Sequence, residues 1–293
     1  MELNSELVTE APRPAATVIL LRDGDSGLEV FLLKRHGLSD VLGGAYVFPG
    51  GKLDASDAQL DAAQHLDMPL HVLHARLNEA HITPEEAAGL HVAALREAFE
   101  ESGVLLAHSE DGKPANTAQA AAHLKEGLGF NDMLSRMGLR LHTSGVLPWS
   151  RWITPQVPSV TRKRFDTRFF LATVPHLQEA AHDDVETTAS SWLAPRAALT
   201  QYWAGDIELA PPQIMTLAEL SRHANVASAM TVPAHRPPPV IQPEPFDHEG
   251  TRFITYPGDE RHSIQQRIWS GPTRLAYRNK RFEPLDGFES LFA

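Results

Sequence analysis

The sequence predicts a layered α/β domain, in which strands and helices alternate around a shared core. Three observations point there. Two apolar runs, at 17–21 and 28–33, flank Asp23-Gly24-Asp25-Ser26-Gly27, a hairpin signal. A long amphipathic helix is bracketed by Thr83 and Gly103. After it, extended stretches at 104–107, 139–141, 146–152 and 168–174 alternate with helical ones at 118–125, 195–199 and 212–220.

Composition narrows the function. The 293 residues are 42% hydrophobic and 22% charged, as in a globular protein with a full core. A net charge of −11 and a pI near 5.7 argue against a general nucleic-acid or anionic-membrane binder. A phosphate-bearing ligand would then need local basic groups or a metal. The absence of cysteine excludes disulfides, zinc–thiolate sites and thiol catalysis, and fits a reducing compartment. Residues 1–14 are polar and acidic with no apolar h-region, and no later run reaches transmembrane length. A cytoplasmic protein is expected.

The helix carries the first chemical signal. Thr83-Pro84-Glu85-Glu86 predicts its start, with Thr83 as N-cap and Glu86 closing a capping box. Gly103 is the expected stop. Leu90, Ala94, Leu95, Ala98 and Phe99 give one apolar face, while Glu97, Glu100 and Glu101 fall on another. These acids are badly placed for the helix itself. Glu97 and Glu101 repel at i,i+4, and charges at the negative end of the macrodipole each cost about 0.3–1 kcal/mol. Three carboxylates from one turn are what a hard divalent cation binds. The plainer alternative is an acid-rich surface helix end, with Arg96 and Glu100 as an ordinary i,i+4 pair.

Upstream, Phe48-Pro49-Gly50-Gly51-Lys52-Leu53-Asp54 predicts a short strand (46–48) entering a tight glycine turn, where backbone can approach a ligand closely. Together with Arg96-Glu97-Ala98-Phe99-Glu100-Glu101-Ser102-Gly103-Val104, this turn resembles the Nudix box, G-x5-E-x7-R-E-U-x-E-E-x-G-U, split by an insertion. Gly51 takes the leading glycine, and Asp57 stands where the family has glutamate. A long segment then separates Asp57 from Arg96 where the family has seven residues. Such an interrupted box is similar to one branch of the Nudix hydrolases, which includes a peroxisomal coenzyme A diphosphatase. The phrase Arg164-Phe165-Asp166-Thr167-Arg168-Phe169-Phe170-Leu171 also resembles that branch.

The remaining chain is read around this frame. Residues 1–14 are expected to be a flexible tail and 15–235 the Nudix domain. Within it, 58–82 form an insertion of one or two short helices beside the site. Its histidines (His65, His71, His74, His81) lack a zinc spacing with carboxylate support and are read as surface or half-buried. Arg35 ends a strand, either solvated or touching substrate phosphate. Arg162-Lys163-Arg164 either solvates a loop or holds phosphate, with Arg162 and Arg164 as the candidate ligands. His182-Asp183-Asp184-Val185-Glu186 precedes a strand at Trp192-Leu193. From 236 to 293 proline and glycine are frequent, and this extension either wraps the core or joins a partner subunit, as in a homodimer.

The resemblance implies a Nudix α/β/α sandwich with a mixed sheet, an insertion in the box and a C-terminal extension. It also implies Mg²⁺, or Mn²⁺ in its place, held by Glu97, Glu100, Glu101 and the Gly51 carbonyl. Arg96 orients Glu97, Asp57 is a weaker supporting candidate, and the general base lies between Glu186 and a box glutamate. The implied reaction is hydrolysis of a nucleoside diphosphate linked to another moiety, coenzyme A or acyl-coenzyme A being suggested by the branch. Nucleotide sugars and dinucleotides are alternative substrates, and a non-catalytic nucleotide sensor or scaffold is the alternative class.

Overall fold

The computed structural model describes residues 3–37, 42–160, 163–183 and 187–293. The chain begins with an antiparallel hairpin, β1 (Arg13–Gly24) and β2 (Gly27–Arg35), then short strands β3 (Tyr46–Val47) and β4 (Gly50–Lys52). A single 3-10 turn at Asp57–Gln59 leads into α1 (Ala62–His65) and α2 (Leu70–Leu77), followed by α3 (Pro84–Ser102). Next come β5 (Ala107–Ser109), α4 (Thr117–Lys125), α5 (Phe130–Met137), β6 (Leu139–Leu141), β7 (Val146–Ile153), β8 (Phe165–Thr173) and β9 (Thr187–Leu193). Three helices follow, α6 (Pro195–Ala204), α7 (Pro211–Leu220) and α8 (Val226–His235), then β10 (Val240–Ile241). The chain closes with β11 (Glu244–His248), β12 (Thr251–Thr255), β13 (Arg274–Arg278) and β14 (Arg281–Pro284).

The central sheet runs β10-β7-β8-β1-β2-β3, with β4 on β1 and β9 on β2. It is mixed: β1 runs parallel to β8 and antiparallel to β2. Strand alternation divides the core into two layers. Ala16, Val18, Leu20, Phe31, Leu33 and Phe170 face α3, whereas Ile19, Leu21, Val30, Leu32, Phe169 and Leu171 face α6 and α7. That is the expected α/β/α sandwich.

Helix α3 carries the capping box on Thr83 and Glu86 and ends at Gly103, whose φ is 71°. Its burial is wider than one stripe, because α2 and the sheet cover it from two sides. Glu101, on the acidic face at the helix end, is therefore buried. The strand expected at 104–107 forms only over Ala107–Ser109. The Gln178 side chain takes over the pairing at Leu105, accepting from its N–H at 2.8 Å and donating to its carbonyl at 2.9 Å.

The amino-terminal residues read as a flexible tail carry backbone hydrogen bonds. Asn4 and Val8 donate to the Ser159 and Gln156 carbonyls at 2.9 and 2.7 Å, and β1 starts already at Arg13. Residues 236–293 lie on the second core layer of the same chain. Ile254, Trp269, Leu275 and Phe282 join Trp149 and Trp152 there, and Tyr202 Oη both accepts from Phe282 N–H (2.8 Å) and donates to its carbonyl (3.0 Å). Among the described residues no helix is long and apolar enough to cross a membrane.

Candidate active site

Arg96 organises the site. Its guanidinium is buried beneath α3, and every nitrogen on it is used. Nε and Nη2 donate to Asp57 Oδ1 and Oδ2 at 2.9 and 3.0 Å. Nη1 donates to Glu97 Oε1 at 2.8 Å and Glu100 Oε2 at 2.9 Å, and Nη2 also reaches the Lys52 carbonyl at 3.1 Å. Asp57 is itself buried and accepts the Asp54 N–H at 2.8 Å. Its backbone comes this close because Gly89 leaves room: a Cβ on Gly89 would lie 3.0 Å from Ala58 Cα.

The glycine turn closes against the same acids. A Cβ on Gly51 would fall 2.2 Å from Glu97 Oε1, so a larger residue there would require that carboxylate to move. Gly50 N–H donates to Glu101 Oε2 at 2.8 Å. Burial pushes the Glu97 carboxyl up to about 7, with Glu100 and Asp57 adding to the rise and Arg96 opposing it. Burial also raises Glu100, again against the pull of Arg96. For Arg96 burial alone would favour the neutral form, but Asp57, Glu97 and Glu100 outweigh it and hold the charge firmly. Four carboxylates, those of Asp54, Asp57, Glu97 and Glu100, thus share one guanidinium.

The family model described as the NUDT19 Nudix domain matches residues 7–220. The chain belongs to that Nudix family. It is 30% identical over 237 residues to the acyl-coenzyme A diphosphatase NUDT19 of Homo sapiens, covering 69% of this chain and 62% of that one. The Xenopus laevis protein of the same name is 29% identical over 241 residues. This chain spans 63% of the Xenopus relative's length. A putative nudix hydrolase 7 of Caenorhabditis elegans is 26% identical over 302 residues, covering 97% of this chain and 90% of that one. The crystal structure of a NUDIX hydrolase from Alicyclobacillus acidocaldarius superposes with a TM-score of 0.64 at 30% identity, covering 77% of this chain and 98% of that one.

The split Nudix box is therefore one site in space. The insertion leaves the 3-10 turn after Asp57 and returns through α2 to the start of α3, so Asp57 and Arg96 meet across it. Asp57, given only a supporting place in the sequence reading, is the bidentate partner of Arg96. The insertion is anchored by Leu66, Leu73 and Leu77 in the core and by His65, which is fully buried rather than surface or half-buried. His65 Nδ1 meets the Leu139 carbonyl at 2.8 Å, and its Nε2 meets Ser135 Oγ at 3.0 Å. At its end Glu79, also buried, binds Arg168 (Oε1 to Nε 2.9 Å) and Arg151 (Oε2 to Nη1 2.9 Å), and Asp166 completes the quartet. Nothing in the spacing of these four residues signals that network.

The other sequence candidates separate. Arg35, at the end of β2, lines a cavity that also includes Gly50. Arg164 is buried, and its Nε and Nη1 donate to the Thr154 and Glu10 carbonyls at 3.1 and 2.8 Å. It clamps the amino-terminal segment through these two backbone contacts. Glu186 and Arg162 lie outside the described residues. Among the described residues no three acidic or histidine side chains are gathered as a ready-made cation cage. Glu97 and Glu100 turn to Arg96, and Glu101 turns to the Gly50 amide. The donor set still suits a hard divalent cation: it is all oxygen and carries more negative than positive charge.

Proposed function

We propose that this Nudix domain hydrolyses the diphosphate of a nucleoside diphosphate linked to a second moiety, with coenzyme A or acyl-coenzyme A as the substrate class. The observation that supports it most is the crowding of Glu97, Glu100, Asp57 and Asp54 around Arg96 beside the Gly50–Gly51 turn. Carboxylates crowded in such excess are unfavourable alone and favourable next to a divalent cation. The substrate class rests on the names of the relatives.

Glu97, Glu100 and Glu101 would hold Mg²⁺, or Mn²⁺ in its place, with the Gly51 carbonyl as a further ligand. The bound ion would neutralise charge on the diphosphate and supply a more acidic water. Arg96 orients Glu97 and Glu100 through its shared Nη1 and is itself fixed by Asp57. Gly51 keeps the backbone of the turn against Glu97, where a diphosphate oxygen can approach. Arg35 and Arg162 are the proposed phosphate contacts, and the proton acceptor is Glu186 or a box glutamate. The cysteine-free composition fits the cytoplasm as the proposed location.

A screen of diphosphate compounds with and without Mg²⁺ tests this reading. The expected result is Mg²⁺-dependent conversion of coenzyme A to 3′,5′-ADP and 4′-phosphopantetheine. No turnover of any diphosphate compound, or turnover unaffected by chelation, would overturn it.

A further inference from the structure

A cavity of about 210 Å³ opens beside the glycine turn, with Gly50 in its wall. Two segments far apart in sequence close it. One is the stretch 154–160 that follows β7, which contributes Thr154, Pro155, Pro158 and Val160. The other is the hairpin of β11 and β12, through the opposed residues Pro245 and Ile254.

Pro155 and Pro158 offer no N–H, so the first of these walls is poorly equipped to pair as a strand. Its carbonyls are taken by the amino-terminal segment instead. Val8 N–H donates to the Gln156 carbonyl at 2.7 Å and Asn4 N–H to that of Ser159 at 2.9 Å. The Asn4 side-chain amide donates to the Pro158 carbonyl at 2.9 Å. Asn4 and Val8 are half-buried, while the residues between them are exposed.

Asn4 also reaches the other wall. Its carbonyl accepts from Arg252 Nη1 at 3.1 Å. Asp247 holds the same guanidinium, with Nε to Oδ1 at 2.7 Å and Nη2 to Oδ2 at 3.0 Å. Arg252 stands two residues before Ile254 on β12, so strand alternation puts both on one face, and both are buried. One residue of the amino-terminal segment thus bonds to both walls of the cavity.

We propose that Asn4 and Arg252 form a latch between the two walls and, on the function proposed above, act as positioning residues for the part of the substrate that extends past Gly50. The reacting groups lie elsewhere: the acids of α3 are held by Arg96 and by the Gly50 N–H. Loss of the latch therefore weakens binding of substrate and transition state alike, which raises KM and spares kcat.

Hydrogen exchange of the full chain, read by mass spectrometry on peptides covering 3–10, 154–160 and 15–24, tests the latch directly. In Arg252→Ala, exchange should quicken about tenfold or more in the first two and keep the parental rate in the third. A hydrogen bond from a guanidinium is worth about that factor in local opening. Steady-state kinetics with coenzyme A and Mg²⁺ should show KM raised about tenfold, with kcat within about twofold of the parent. Arg252→Lys keeps a cationic donor and should recover part of both. Asn4→Pro lacks the N–H and the side-chain amide, should repeat the Arg252→Ala pattern, and carries the test if Arg252→Ala does not fold. Parental exchange at 154–160 in both variants would overturn the latch, as would faster exchange with KM unchanged or with kcat falling in its place. Faster exchange in a protein that turns over no diphosphate compound would uphold the latch and refute the reaction instead.

Discussion

Arg96 and Asp57 form a buried bidentate pair, Nε to Oδ1 at 2.9 Å and Nη2 to Oδ2 at 3.0 Å, across the whole inserted segment. The pair holds the guanidinium in the plane from which Nη1 reaches Glu97 and Glu100. Asp57→Asn leaves a buried arginine short of charge and misaligned, costing about 1–3 kcal/mol. A urea midpoint lowered accordingly, with the proposed Mg²⁺-dependent turnover also reduced, is the expected outcome. An unchanged midpoint would show that the pair contributes nothing to stability.

A side chain at Gly51 would displace the Glu97 carboxylate from its place beside Arg96. A methyl group there collides with Glu97 Oε1, and either the turn or the carboxylate must move by an ångström or more. Displacement on that scale costs about 10²-fold in rate. Gly51→Ala should therefore lose at least that much kcat while its thermal midpoint falls by only a few degrees. Full activity in the variant would remove the turn from the site.

Glu100→Gln and Glu101→Gln should each cripple turnover and leave the fold intact. For Glu100 the carboxylate is partly exposed, crowded by like charge and at the wrong end of the helix dipole. Its neutral replacement should hold or slightly raise stability. Gln at 101 still offers an oxygen to the Gly50 N–H, so circular dichroism and thermal unfolding should match the parent. Loss of activity without loss of fold is the signature of a ligand role.

Glu79 joins the end of the insertion to two arginines of the sheet. Glu79→Ala would leave Arg151 and Arg168 with Asp166 as their remaining acid in that quartet. Removing one partner from a buried charge network costs about 3–5 kcal/mol. Chemical denaturation should show that loss, and limited proteolysis should show earlier cleavage within 58–82.

His91 makes the fold acid-sensitive. Burial lowers its pKa from 6.5 to about 4, against the hydrogen bond to the Ala87 carbonyl, and its ring packs 4.8 Å from Phe170. The folded value lies below the unfolded one. Its stabilising contribution is thus fully present above pH 6.5 and is lost as pH falls towards 4, by about 3 kcal/mol. Unfolding free energy measured across that window should fall in the parent and fall less in His91→Leu. Parallel curves for the two would rule out His91 as the source.

Much of the site was legible because it is local. A capping box, a glycine stop and acids at i, i+3 and i+4 are set within one helix, where 3.6 residues per turn decides who neighbours whom. The Gly50–Gly51 turn was legible for a similar reason, since close backbone approach leaves glycine as its mark. Strand alternation at 17–21 and 28–33 likewise determined which side chains enter which layer.

Tertiary structure decided what those groups pair with. Asp57 and Arg96 meet only because the insertion folds back on itself, and Arg164 became a backbone clamp only once residues 4–13 lay beside it. The Glu79 network and the cavity beside Gly50 draw on elements distant in the chain, so no spacing announces them. A sequence states which charges and hydrogen-bonding groups exist. Burial decides which of them must find partners, because water no longer satisfies them.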